Sequence, residues 1–247
     1  MLTRRELLGF LGGATTVSLV GCLPKASSSN PASSSTQLSP QTSSETTDSL
    51  SCIVRPQQSE GPFFVEERLN RSDIRSDPAD GSAKVGVPLQ LALQVFQIRD
   101  RRCTPLAGAI VDVWHCDASG NYSGVNRPGT NTTGQEFLRG YQVTNSTGLV
   151  QFTTIFPGSY LGRAVHIHFK VRAQQNSLAA HEFTSQLYFD DAVTETVLTN
   201  PIYSEGGRWT PNRRDGLFQQ GGEELMLALR ESDNGLIGNF SLALDLN

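Results

Sequence analysis

Two histidines stand two positions apart in Val165-His166-Ile167-His168-Phe169-Lys170-Val171. In a β-strand successive side chains point to opposite faces, so His166 and His168 share one face and the four apolar residues share the other. The apolar set belongs in a core. Two neutral imidazoles side by side make one corner of a metal site. A solvated strand face would carry the same pair, and for an isolated His-x-His pair that is the commoner outcome. Tyr122 follows a turn at Ser119-Gly120, and Tyr160 follows Pro157-Gly158. Each phenol alone suits a turn aromatic or a packed corner. Arg163 and Gln186, taken singly, suit a surface charge and a polar strand position.

The elements that must hold these residues are short strands. Segment 87–98 places Leu89, Leu91, Leu93 and Val95 on one face. Segments 109–115, 149–156, 165–171, 183–189 and 236–246 alternate likewise, with turn signals at 105–108, 119–120, 146–148 and 157–158. Glycine (23) and proline (12) are frequent enough to supply such turns. The pattern predicts an all-β fold, an antiparallel β-sandwich with long active-site loops and little helix. Two helical turns are expected at 223–230. A formal net charge of −4 in 247 residues gives no basic excess for nucleic acid.

Residues 1–22 do not read as folded protein. Arg4-Arg5 precedes a weakly apolar stretch ending in Leu19-Val20-Gly21-Cys22. The stretch is shorter than the roughly 20 apolar residues a spanning helix needs. It resembles a twin-arginine signal joined to the lipobox of bacterial lipoproteins, in which the cysteine is lipidated. That predicts an exported protein, held at the cell surface or in the periplasm by a lipid on Cys22. From 23 to 50, 14 of 28 residues are Ser or Thr. Such a segment has too little apolar surface to offset ordering entropy, and reads as a disordered linker spanning about 30 Å. The catalytic domain is then 51–247.

Three of the four cysteines remain beyond Cys22. Cys103 and Cys116 bracket the strand 109–115, which spans roughly 25 Å, whereas a disulfide tolerates about 7 Å between α-carbons. Cys52–Cys103 is the preferred bridge, leaving Cys116 free.

Several pieces recur in order: Glu60-Gly61-Pro62-Phe63-Phe64, Trp114 through Gly120 to Tyr122, Arg139-Gly140, Pro157-Gly158-Ser159-Tyr160, Arg163-x-x-His166-x-His168 and Gln186-Leu187-Tyr188-Phe189. Together they resemble the intradiol ring-cleavage dioxygenases, which include catechol and protocatechuate dioxygenases. The resemblance covers 60 to about 189 and implies a role for each match. Tyr122, Tyr160, His166 and His168 are the metal ligands, with Tyr160 the one that substrate displaces. Arg163 stabilises charge building on the ring, and Gln186 supports the site. The cofactor implied is Fe(3+), and the partners are a small aromatic diol and O2.

That ligand set is chemically coherent. Free tyrosine has a pKa of about 10, so phenolate at neutral pH needs a strong Lewis acid, and hard anionic oxygens favour iron(III). Phe63, Phe64, 126–133 and Tyr141 are placed around the pocket by the same resemblance. His115 and His181 are left as structural or surface residues. Catechol dioxygenases carry an N-terminal helical dimerisation domain that 1–50 does not supply, so the oligomeric state stays open. The polar segment 174–181 departs from the pattern as an insertion. Export is also a departure, since such pathways usually run in the cytoplasm; it points to aromatics outside the cell. A β-sandwich binding module without metal, and a peroxidase-like or storage use of the iron, are the rival functions.

Overall fold

The computed structural model describes residues 52–247 except 67, 176–178 and 207. The signal and linker expected at 1–50 lie outside the described residues. The strands in order are β1 (Pro88–Arg99), β2 (Arg102–Pro105), β3 (Ile110–Trp114), β4 (Asn126–Arg127), β5 (Thr130–Asn131), β6 (Arg139–Val143), β7 (Leu149–Ile155), β8 (His166–Gln175), β9 (Ala179–Tyr188), β10 (Ala228–Ser232) and β11 (Gly235–Asp245). One α-helix, α1 (Asp191–Leu198), follows β9.

Alternation decides which way β1 faces. Leu89, Leu91, Leu93 and Val95 are fully buried, while Pro88 and Gln90 are exposed. Each buried side chain of this size contributes about 1.5–3 kcal/mol. One edge of β1 pairs along its length with β11. The other edge is shared, first by β7 against Pro88–Gln94 and then by β2 against Phe96–Arg99. With β10 on the far side of β11, this makes one sheet. The second sheet runs β6-β3-β8-β9. The core lies between them, where Val111, Val113, Ile167, Phe169 and Val171 meet the β1 and β11 residues. Phe169 reaches Phe240 at 5.8 Å between ring centres.

The sandwich is as expected, with differences in detail. β1 and β11 run parallel, from Leu89 opposite Leu236 to Ile98 opposite Asp245, so the first sheet is mixed. A hairpin forces antiparallel pairing, but strands this far apart in sequence are free of that constraint. The two helical turns expected at 223–230 are not formed. A short 3-10 turn, Gly222–Leu225, gives way to β10, whose pairing with β11 satisfies the backbone instead. Conversely, α1 was not anticipated. The Asp190 carboxylate caps it, accepting from Ala192 N and Val193 N at 2.8 and 3.2 Å. The segment expected as an insertion, 174–181, lies at the facing ends of β8 and β9, where Gln174 pairs with Ala180 and Gln175 with Ala179.

Residues 52–64 form a strap that leaves the first sheet and crosses the second. Cys52 is bonded to Cys103 on β2, with 5.9 Å between α-carbons, and Cys116 is free and buried. Val54 bridges to Ala243, Gln58 N donates to Thr184 O, and Ser185 Oγ donates to Pro56 O. The disulfide spans 51 residues, and closing a loop of that length stabilises by about 4 kcal/mol on the chain-entropy model. Cys103→Ser is therefore expected to lower the denaturant midpoint by a corresponding amount. An unchanged midpoint would show that the strap's hydrogen bonds suffice without the bond.

Candidate active site

The register of the second sheet puts His168 between Trp114 on β3 and Gln186 on β9, and His166 beside Tyr188. Paired residues share a face, so this outward face carries a row of ring and amide side chains. The strap covers it. His166 and His168 are 2% and 1% exposed, which removes the solvated-face alternative. The Trp114 ring stacks on His168, 5.0 Å away and 8° from parallel. Gly61 of the strap, at φ +74°, lies so close that a Cβ there would sit 3.4 Å from His168 Cε1.

Two loops bring in the phenols. Asp117 shapes the first, its Oδ1 accepting from Ser119 N and Asn121 N at 3.1 and 3.0 Å. The second is docked on it through Gly158 N, which donates to Asp117 O. A Cβ on Gly158 would come within 2.4 Å of Ala118 O, and one on Gly120 within 2.3 Å of Ser159 O. Glycine at both positions thus lets the two backbones touch and sets Tyr122 beside Tyr160, with ring centres 5.9 Å apart. Gly158→Ala is expected to cost at least about 1–3 kcal/mol, the usual penalty for overpacking. A denaturant midpoint equal to wild type would show that the loops can part freely. Phe63 stacks on Tyr122 at 4.4 Å. Arg139 ties the strap to the Tyr122 loop, with Nε donating to Ser123 Oγ at 2.7 Å and Nη1 to Phe63 O at 3.2 Å.

Four side-chain atoms converge. His166 Nε2 lies 3.1 Å from His168 Nε2, 3.1 Å from Tyr160 Oη and 3.4 Å from Tyr122 Oη. Ligand atoms each about 2 Å from one ion stand about 3 Å from each other, which is the spacing seen. His166 Nδ1 donates to Ala164 O at 2.6 Å, so its Nε2 lone pair faces the cluster. His168 Nδ1 is buried with no hydrogen-bond partner among the described residues. Burial, reinforced by the Arg163 charge, lowers His166 to about 3 and, with His166 beside it, holds His168 well below the usual imidazole range. Burial pushes Tyr160 up to about 12 and Tyr122 well above the usual phenol value. Both imidazoles are therefore neutral, and both phenols need a nearby cation to ionise. No group of three or more His, Cys, Asp and Glu gathers among the described residues. The donor set depends on the tyrosines.

Arg163 borders the cluster, with Nη1 3.4 Å from His166 Nε2. Its Nη2 donates to Gln186 Oε1, and its Nε donates to Asp215 Oδ2 at 2.9 Å. Gln186 is fully buried and donates through Nε2 to Ser59 O at 3.0 Å. Tyr188 Oη donates to Gln58 Oε1 at 2.8 Å. Burial alone would raise the Asp215 carboxyl, but the Ala164 N–H and the Arg163 charge hold it below the usual range.

All six residues singled out from the sequence, Tyr122, Tyr160, Arg163, His166, His168 and Gln186, are brought together. Phe63 stacks on Tyr122 as expected, whereas Phe64 packs edge-on against Trp114, 4.9 Å away. Segment 126–133 forms the β4–β5 hairpin, which supports the Tyr122 loop through Thr132 Oγ1 donating to Tyr122 O at 2.6 Å. Tyr141 is not at the donor cluster. It lies on β6, two strands from β8, lining a small cleft with Phe64, Trp114 and Asp112. His115 is structural, lying 2.7 Å from Thr154 Oγ1 and so linking the two sheets. His181 is half-buried on β9, opposite Ala173. Sequence reasoning missed Asp215, Tyr188 and Gln58, and gave Trp114 no role. Only the Trp114-to-Tyr122 and Gln186-to-Phe189 matches hinted at two of these four.

Residues 59–235 match the family described as Dioxygenase. Among curated proteins, the chain is 29% identical over 150 residues to chlorocatechol 1,2-dioxygenase of Rhodococcus opacus, covering 53% of this chain and 54% of that protein. The chain thus spans about half the length of that curated relative. Among solved structures, an intradiol ring-cleavage dioxygenase from Tetranychus urticae superposes with a TM-score of 0.66 at 32% identity, over 79% of this chain and 96% of that one. The dioxygenase domain of a dioxygenase–carbohydrate-binding fusion from Streptomyces sp. SirexAA-E gives a TM-score of 0.55 at 29% identity, over 78% and 99%. A family match over most of the described residues, on a sandwich whose ordered motifs converge at one cluster, places this chain in the intradiol ring-cleavage dioxygenase family.

Proposed function

We propose that the chain cleaves a catechol-type ring between its two hydroxyl-bearing carbons with O2, at an iron(III) held by Tyr122, Tyr160, His166 and His168. Both oxygen atoms enter the product, a muconate-type diacid. The observation that carries this is the convergence of two phenol oxygens on two neutral imidazole nitrogens, within 3.1–3.4 Å of His166 Nε2. Hard oxygen donors and imidazoles suit iron(III), and relatives named for chlorocatechol support the substrate class.

Iron(III), when bound, supplies the positive charge that ionises the phenols and a bound catechol, and the electron-accepting capacity that lets the ring react with O2. The chain's own residues do the rest. His166 keeps its Nε2 lone pair on the site because Ala164 O holds its other nitrogen. Tyr160 is less deeply buried than Tyr122. It is the phenol able to leave, and its oxygen is placed to take a proton from an incoming catechol hydroxyl. Phe63, Trp114 and Tyr122 wall out water on the strap side. Arg163 presents a fixed positive charge where negative charge grows on the ring.

Iron-loaded protein tested against a panel of catechols should consume one O2 per substrate and yield the ring-opened diacid. Iron-loaded protein that binds catechol and consumes no oxygen would refute the activity.

Export with a lipid on Cys22 belongs to the same proposal, supported by Arg4-Arg5 and the Leu19 to Cys22 pattern. Cys22→Ala is expected to shift the protein from the membrane to the soluble fraction with unchanged folding of 52–247. Wild-type protein found unlipidated in the cytoplasm would refute it.

A further inference from the structure

We infer that Asp215 is a positioning residue for ring cleavage: its carboxylate fixes the direction in which Arg163 presents its guanidinium. The inference rests on Arg163 being the charge-stabilising group.

Asp215 is 1% exposed, yet every contact of its carboxylate is matched by a donor. Oδ2 accepts from Arg163 Nε at 2.9 Å and from Ala164 N at 2.8 Å. Oδ1 accepts from Leu217 N at 2.8 Å and, more weakly, from Phe218 N at 3.4 Å. Ala164 in turn gives its carbonyl to His166 Nδ1. One carboxylate thus holds both the side chain at 163 and the residue between it and the ligand.

A guanidinium is planar, so fixing two of its nitrogens fixes the third. Nε is held by Asp215 and Nη2 by Gln186, which leaves Nη1 facing the donor atoms, 3.4 Å from His166 Nε2. Without Asp215 the group would be held from behind at Nη2 alone, by Gln186 and, at 3.5 Å, by Tyr188 Oη, and could swing about that nitrogen. The carboxylate is itself held firmly. The 3-10 turn before it, Asn212–Arg214, is fastened to the end of β9 by Asn212 Nδ2 donating to Phe189 O at 2.7 Å. Asp215 N closes that turn on Asn212 O at 3.0 Å. Phe218 then packs edge-on against Tyr188, 5.0 Å away. The C-terminal segment therefore supplies the strand that carries the ligands with a rigid anionic stop.

The test separates holding the turn from aiming the arginine. Serine keeps a short side chain able to accept from the backbone two residues on, but does not carry the charge across to Arg163. Asp215→Ser in iron-loaded protein should cut turnover about tenfold to a hundredfold, the scale for displacing a catalytic group by about 1 Å, while catechol affinity moves less than about threefold. The affinity is read from the visible band, and a single cooperative urea transition of the metal-free protein shows that it is folded, at a midpoint lowered by loss of the buried ion pair. In an Arg163→Met background the same change should cost little more, because a residue acting through Arg163 has nothing left to aim.

A full additional loss in the double variant would overturn the inference. So would loss of iron and catechol binding in step with turnover. Should the serine variant not fold, Asp215→Asn is put through the same cycle; failure of both to fold would assign the carboxylate to the turn and overturn the inference. Turnover near wild type in Arg163→Met alone would instead bring down the reading beneath it. Normal turnover in Asp215→Ser with impaired Arg163→Met would bring down only this one.

Discussion

Tyr122→Phe is expected to yield folded protein that neither retains iron on purification nor turns over a catechol above background. The ring of Tyr122 is fully buried, stacked on Phe63 and walled by Trp114 and Tyr160. Phenylalanine fills the same space, so the packing survives and only the oxygen is lost. That oxygen is one of the four donor atoms of the proposed iron site and one of two that can carry charge. Losing a group merely hydrogen-bonded to a ligand typically costs about 10–100-fold in metal affinity, and losing the ligand itself costs more. Iron analysis and the visible spectrum check this directly. A phenylalanine variant with a full complement of iron and wild-type turnover would remove Tyr122 from the ligand set.

Arg163→Met is expected to separate chemistry from binding. The guanidinium borders the donor atoms and is held from behind by Asp215, Gln186 and Tyr188. Its charge is in place before any charge develops on substrate, so it needs no reorganisation during the reaction. Removing one such group typically costs about 10²–10³ in rate. Iron content and the catechol-induced shift of the visible band should remain, and oxygen uptake should fall by that factor. Loss of iron would make Arg163 a structural residue. There is a cost on the other side too: methionine leaves the Asp215 carboxylate buried without its cation. The variant should therefore also melt earlier than wild type.

What could be seen in the sequence was what repeats with a short period. The alternation at Leu89 to Val95 and around His166 and His168 gave strands, faces and a core, because a period of two survives without knowledge of neighbours. The strand between Cys103 and Cys116 is too long to close, which ruled out that pair; of the two pairings left, the preferred Cys52–Cys103 is the one formed. The phenols were not legible in this way. Tyr122 and Tyr160 sit on loops, and only the ordered family pattern marked them. Asp215 lies 52 residues beyond Arg163 in a turn with no periodicity, so nothing local announces the contact. The parallel return of β11 was equally hidden, because a strand carries no sign of its partner's direction. At 223–230 the two glutamates favoured helix, and edge pairing with β11 overrode them. The Asp190 cap of α1 could have been read, and was missed.

The strap has a mechanical consequence. Gly61 and Phe63 are held on His168 and Tyr122 by contacts that would peel one at a time if the chain were drawn from its N-terminal side. Cys52 intercepts that load. Tension arriving from residues ahead of it passes through the disulfide into β2, and from β2 into β1, the strand with most neighbours in its sheet. There it meets a ladder of backbone hydrogen bonds and a packed core. The segment from Cys52 to Phe64 stays slack while the sandwich bears the force. A pull applied ahead of Cys52 would therefore leave the donor atoms in register.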